Sequence, residues 1–225
     1  MNRREFLTTT LAAGTTGSAA STAVAGGRKA VKILGVSCSP RKGRTTAAAL
    51  AICLEAAQAA GPSVTTELIE LAGRKIGVYD PANPEATQGG FADLIPVLSD
   101  PNVGGIIVGT PIYMGNMTSL CKAFLDHCIV FRRQKFALSG KVGGVVAVGA
   151  GRNGGLELAL RSVQASLLCQ EMIVVGDGQP TSHFGAALLN DGKDSIAGDT
   201  SGIATAKNLG RHVAQVALQL AATQT

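Results

Sequence analysis

The 225-residue chain has no Trp and only 4% aromatic residues, two Tyr and six Phe. A stacking platform for single-stranded nucleic acid needs more rings than that. No block of five or six like charges occurs, and the net charge of +5 is modest for the length. Nucleic acid is therefore not an expected partner. No stretch reaches the ~18 uninterrupted apolar residues of a membrane span. The five cysteines (Cys38, Cys53, Cys121, Cys128 and Cys169) contain no C-x-x-C pair, which excludes zinc ribbons and thioredoxin chemistry. Cys121 and Cys128 stand seven apart on a predicted helix, about 10 Å at ~1.5 Å per residue, too far for a disulfide. Cys53, Cys121, Cys128 and Cys169 fall in apolar helical patterns and are expected to be buried. Cys38 lies in a loop, as a small packing residue or a redox-sensitive thiol.

What is abundant is apolar and small. Hydrophobic residues make up 46%, and glycine numbers 29. That balance suits an α/β fold with tight glycine turns beside a ligand.

The first 25 residues read as an address. Asn2-Arg3-Arg4-Glu5-Phe6-Leu7 is followed by a mild Ala/Thr/Gly run and then by Ala23-Val24-Ala25, an A-x-A cleavage pattern. The paired arginines before Phe6-Leu7 look like a twin-arginine export signal. The expectation is a signal over residues 1–25, a working domain over residues 26–225, and a periplasmic or other extracytoplasmic location.

The remainder alternates strand and helix. Strands are predicted at residues 31–37, 64–71, 103–110, 142–148 and 172–175, short apolar runs rich in Val and Ile. Helices are predicted at 45–60, 91–99, 118–131, 156–168 and 202–220. Residues 72–90 read as a long loop, and 178–200 as polar and irregular. Regular alternation with doubly buried strands means a doubly wound five-stranded parallel sheet in three layers, most often ordered 2-1-3-4-5. Ligands bind such sheets beyond the C-terminal strand ends, near the switch point.

The unusual residues sit in those loops. After the first strand come Ser37, Cys38, Ser39, Pro40, Arg41, Lys42, Gly43, Arg44, Thr45 and Thr46. A helix N-terminus with four hydroxyls and three cations matches a phosphate dianion. A capped helix with a basic turn would need only one of those hydroxyls. No G-K-[ST] occurs, so this is not a Walker loop. After the third strand, Pro111, Ile112, Tyr113, Met114, Gly115, Asn116 and Met117 offer an apolar surface and turn amides for a planar heteroaromatic ring. After the fourth, Gly149, Gly151 and Gly154 spell G-x-G-x-x-G, with Asp177 one strand further on. An NAD fingerprint is one reading, although it normally opens the first βαβ unit. The other is that these glycines let the backbone approach a ring bound across the neighbouring loops.

VKILGVSCSPRKGRTT and GTPIYMGNMTSLCKAFLDH resemble the two flavin loops of the flavodoxin-like NAD(P)H-dependent FMN reductases. AGRNGG and the GAALL…AKNLGRHVA tail resemble the iron–sulfur flavoprotein branch most. The resemblance implies a flavodoxin-like FMN domain, with Ser39, Arg41, Thr45 and Thr46 on the phosphate. It places Pro111 to Met117 along the isoalloxazine and Gly151, Arg152 and Gly154 at the ring's other edge. Ser37 and Arg44 complete the candidate cofactor set. That branch carries a cysteine cluster in the loop after the second strand; here residues 72–90 contain no cysteine, which excludes an iron–sulfur cluster there.

No side chain stands out as nucleophile or general base, which fits chemistry carried by a flavin. His127, His183 and His212 read as packing or solvated residues. The resemblance implies NAD(P)H as donor, a quinone or other small acceptor, and a homo-oligomer to which Tyr79 could contribute. The alternative is an exported flavin-binding electron carrier, reduced by a partner protein.

Overall fold

Val and Ile runs that cannot be left in water become the strands of one sheet, and the Ala- and Leu-rich segments between them cover its two faces. The computed structural model describes residues 30–223. Residues 1–25, expected from the sequence to be an export signal, lie outside the described residues.

The strands are β1 (Val31–Ser37), β2 (Val64–Glu70), β3 (Val103–Tyr113), β4 (Asn116–Met117), β5 (Val142–Gly149), β6 (Ile173–Val174) and β7 (Ala186–Leu189). The helices are α1 (Thr45–Gln58), α2 (Pro84–Gln88), α3 (Leu94–Ser99), α4 (Ser119–His127), α5 (Ile129–Arg133), α6 (Leu156–Leu168) and α7 (Thr200–Thr223). The sheet runs β2-β1-β3-β5-β6 with parallel pairing throughout that path. This is the expected order, and β1 is its switch point, with β2 on one side and β3 on the other.

The fifth strand position differs from expectation. It is shared by two pieces: β6 pairs with Val142–Gly143, and β7 pairs with Val146–Gly149. Part of the segment expected to be irregular, residues 186–189, therefore belongs to the sheet. The interruption has a local cause. Buried Asp177 draws the chain inward by accepting from the His183 amide and the Thr181 hydroxyl. A side chain at Gly176 would collide with the His183 carbonyl.

Two further differences matter for the site. Strand β3 continues through Pro111 to Tyr113 and turns back into β4, so the expected loop is a β-hairpin. The helix expected at 118–131 breaks at Cys128 into α4 and α5.

Alternate residues of each strand feed two cores. Leu34, Val36, Ile106, Val108 and Val145 pack with Phe91, Phe124, Phe131 and Leu160 on one face. Ile33, Ile107, Val146 and Val148 pack under α1 and α7, against Leu50, Leu209 and Val213, on the other. The helices of this second face sit close because glycine permits it. A Cβ at Gly109 would stand 2.8 Å from Leu50 Cδ1, and one at Gly210 would collide with the Cys53 carbonyl. No helix among the described residues is long and apolar enough to cross a membrane.

Candidate functional site

Three loops meet at the C-terminal ends of β1, β3 and β5. The first leaves β1 at Ser37 and enters α1 through Gly43, whose φ of +65° suits glycine. Its shape is held by short bonds. Ser39 Oγ accepts from the Arg41 amide at 3.1 Å, and the Gly43 amide donates to Glu70 Oε2 at 2.6 Å. Helix α1 has no capping side chain and no acid in its first turn. The first intrahelical bond runs from the Ala48 amide to the Arg44 carbonyl. Ser39, Thr45 and Thr46 are buried, while Arg41 and Arg44 are exposed. Two hydroxyls, Ser37 Oγ and Thr46 Oγ1, are buried with no hydrogen-bond partner. Buried polar groups are normally paired, so two orphan donors beside an uncapped helix end mark a place where an acceptor group is missing.

The second loop is the hairpin. Ile112 pairs with Met117 and Tyr113 with Asn116. The turn residues Met114 and Gly115 have φ of +50° and +79°. A two-residue hairpin turn of this hand wants Asn or Gly at its first position, and Met there costs about 1 kcal/mol. Met114 is fully exposed, and Tyr113 is half exposed. Asn116 Oδ1 accepts from the Met117 amide at 2.8 Å.

The third loop, Gly149 to Gly155, lies against the hairpin. A Cβ at Gly149 would be 3.2 Å from Ile112 Cγ1, and one at Gly155 would collide with the Gly115 carbonyl. Gly155 has a φ of +100°, and the Gly154 amide bonds the Gly151 carbonyl at 3.1 Å. Gly151 and Gly154 thus sit in the expected cluster of loops. The Arg152 guanidinium turns elsewhere: it binds the carboxylate of Asp199 and the Ala187 carbonyl. It lines a separate cavity of about 620 Å³ with Leu160, His183 and Phe184. The reading of Asp177 as a ribose-binding acid does not hold, because its carboxylate is fully buried and occupied by Thr181 and His183.

Sequence reasoning missed the residues that join these loops. Thr118 caps α4 by accepting from the Cys121 amide at 3.1 Å, and its hydroxyl donates to the Cys38 carbonyl at 2.9 Å. One buried hydroxyl therefore links the first loop to the second. Its signal was legible, a Thr just before a helix. Asp194 binds Arg41 through both carboxylate oxygens, at 2.7 and 3.0 Å, and reaches Arg44 at 3.6 Å. No sequence signal could reveal a pairing across 153 positions.

A family model described as NADPH-dependent FMN reductase matches residues 31–187. The chain belongs to this family. It is an FMN-dependent oxidoreductase with NAD(P)H as electron donor. An iron–sulfur flavoprotein of Methanocaldococcus jannaschii is 34% identical over 194 residues, covering 83% of this chain and 97% of that protein. An NAD(P)H dehydrogenase (quinone) of Paracoccus denitrificans is 35% identical over 178 residues, covering 72% and 78%. Among solved structures, an NADH:FMN oxidoreductase in its apo form aligns over 82% of this chain and 89% of its own, with a TM-score of 0.59 and 23% identity. A WrbA-like flavodoxin from Agrobacterium tumefaciens covers 84% and 98%, with a TM-score of 0.53 and 20% identity. These two likenesses carry the fold.

FMN fits the first loop on chemical grounds: its phosphate offers the acceptor oxygens that the orphan hydroxyls and free helix amides lack. An iron–sulfur cluster does not fit the loop after β2, which supplies no thiolate. The cysteines lie elsewhere. Cys38, Cys53, Cys121 and Cys128 are buried, and desolvation pushes the Cys38 thiol well up and Cys53 up to about 12. Cys169, expected to be buried, is exposed. It follows the last turn of α6, outside the apolar face formed by Leu160, Val163 and Leu167.

Proposed function

We propose that this protein is an exported FMN-dependent NAD(P)H oxidoreductase that passes electrons to a quinone or another small acceptor. The observation that carries the flavin site is the pair of buried, unpartnered hydroxyls, Ser37 Oγ and Thr46 Oγ1, beside an uncapped helix at the switch point of the sheet.

Bound FMN would accept a hydride from the nicotinamide and return two electrons to the acceptor. The chain's own work is positioning. Ser37, Ser39, Thr45, Thr46 and the first amides of α1 hold the phosphate, and Arg41 and Arg44 add charge from the rim. Pro111 and Ile112, on the hairpin's rigid stem, and the Gly115 and Asn116 turn offer a flat face and edge atoms for the ring. Gly151 and Gly154 allow close backbone approach from the other side. The half-exposed Tyr113 and exposed Met114 border the place where donor and acceptor would stack. Their exposure also supports a homo-oligomer in which a second copy covers them.

The name of the Paracoccus relative supports the quinone class of acceptor. The Arg3-Arg4 pair and the Ala23-Val24-Ala25 pattern support export.

The test is anaerobic mixing of FMN-loaded protein with NADH or NADPH, followed by addition of a soluble quinone. Bleaching of the flavin by a nicotinamide and its recovery with the quinone is the expected result. Flavin that neither nicotinamide reduces would instead favour a carrier fed by a partner protein. Export is tested with residues 1–25 fused to a reporter, where replacing Arg3 and Arg4 by Lys should block translocation.

A further inference from the structure

Two of the three cations of the β1–α1 loop, Arg41 and Arg44, already have an anion. Asp194 grips Arg41 with both carboxylate oxygens, at 2.7 and 3.0 Å, and lies 3.6 Å from Arg44. The bidentate geometry is the one that an arginine also offers to a phosphate.

The placement of Asp194 is built, not incidental. It sits at a φ of +59° in the turn that follows β7. That turn is fixed on both sides of it. Asp191 accepts from the amides of Lys193 at 2.7 Å and Ser195 at 3.1 Å, and the Asp191 amide bonds the Ser195 carbonyl at 2.9 Å. Asn190 Oδ1 accepts from the Gly192 amide at 3.1 Å. The carboxylate is thus aimed at the phosphate loop by a turn that leaves it little freedom. Both ends of the pair are part exposed, so the contact itself is weak and can be exchanged. The Arg41 guanidinium holds the Asp194 carboxyl below its ordinary range.

We propose that Asp194 is an internal competitor of the flavin phosphate for Arg41 and Arg44, and so sets how tightly the protein retains phosphorylated flavin. This rests on the FMN reading of the β1–α1 loop. A phosphate seated at the start of α1 brings two negative charges toward a guanidinium pair that already carries a carboxylate. It gains less from those arginines than it would from free ones. A flavin without phosphate is indifferent to Asp194.

The experiment titrates the apo-protein with FMN and with riboflavin, following flavin fluorescence, for the wild type, Asp194→Asn, Arg41→Gln and the double variant. Asn keeps the left-handed backbone conformation, so Asp194→Asn preserves the turn. Removing one carboxylate charge at this distance should tighten FMN about fivefold and leave riboflavin within about twofold. Arg41→Gln should weaken FMN. In the double variant, the gain from Asp194→Asn should shrink, because one of the competed-for cations is gone. Weaker FMN binding by Asp194→Asn would overturn the proposal and make Asp194 a residue that positions the arginines. Equal effects on both flavins would also overturn it. FMN affinity unchanged by Arg41→Gln would sink the phosphate-loop reading itself, separately from the role of Asp194.

Discussion

Thr46→Val separates a binding role from a structural one, because the two predict opposite signs. Thr46 lies in the first turn of α1, 1% exposed, and its hydroxyl has no partner. Leaving such a group buried and unsatisfied costs about 1–3 kcal/mol. Valine has nearly the same shape and a similar helix propensity, so the change removes the orphan and little else. The flavin-free protein should therefore gain about 1 kcal/mol of stability, read as a higher urea midpoint at unchanged slope. In the complex the same hydroxyl would donate to a phosphate oxygen, a charge-assisted bond worth about 1.5–3 kcal/mol. FMN affinity should accordingly fall by roughly ten- to a hundredfold. Equilibrium unfolding of the apo-protein and fluorescence titration with FMN give the two numbers on one preparation. A variant that loses stability while binding FMN as before would refute the reasoning, since Thr46 would then be a packing residue.

Thr118→Val removes both the cap of α4 and the bond to the Cys38 carbonyl, and should cost about 2–3 kcal/mol, or 5–10 °C in Tm. Thr118→Ser, which keeps the hydroxyl, should lose about 1 kcal/mol or less. Gly155→Ala meets a φ of +100° and the Gly115 carbonyl; the backbone term alone is about 1–3 kcal/mol, and displacement of the hairpin should weaken FMN as well. Of the five thiols, Cys169 should react with a maleimide in the native protein and the other four only after unfolding. Mass spectrometry after brief labelling counts one adduct, and Cys169→Ser abolishes it.

Much of the architecture was legible because it follows from periodicity. Doubly buried strands such as VKILGVS and VGGVVAV read as apolar runs, and the strand order follows from their alternation with helices. The β1–α1 loop was legible because its hydroxyls and cations exceed what a helix cap needs. The hairpin was not, since Met114 occupies a turn position that usually announces itself with Asn or Gly. The split fifth strand depends on Asp177 pulling on His183 and Thr181, a tertiary arrangement with no periodic signal. Arg152 was placed at the ring edge by its neighbours in sequence, whereas its direction is set by Asp199, 47 residues away. Glycine was expected chiefly in ligand-side turns, yet Gly109 and Gly210 serve helix packing instead.

The interruption between β6 and β7 also bears on solubility. An open sheet has two free edges, and each is a template for another chain. Strand β2 forms one edge, seven residues long, and there Thr65, Thr66, Glu67 and Glu70 make pairing costly for an apolar strand. The opposite edge carries little charge but is cut into pieces of two and four residues, with the turn at Asp177 between them. A foreign strand would lose its register there within a few residues. One edge is guarded by polarity and the other by discontinuity.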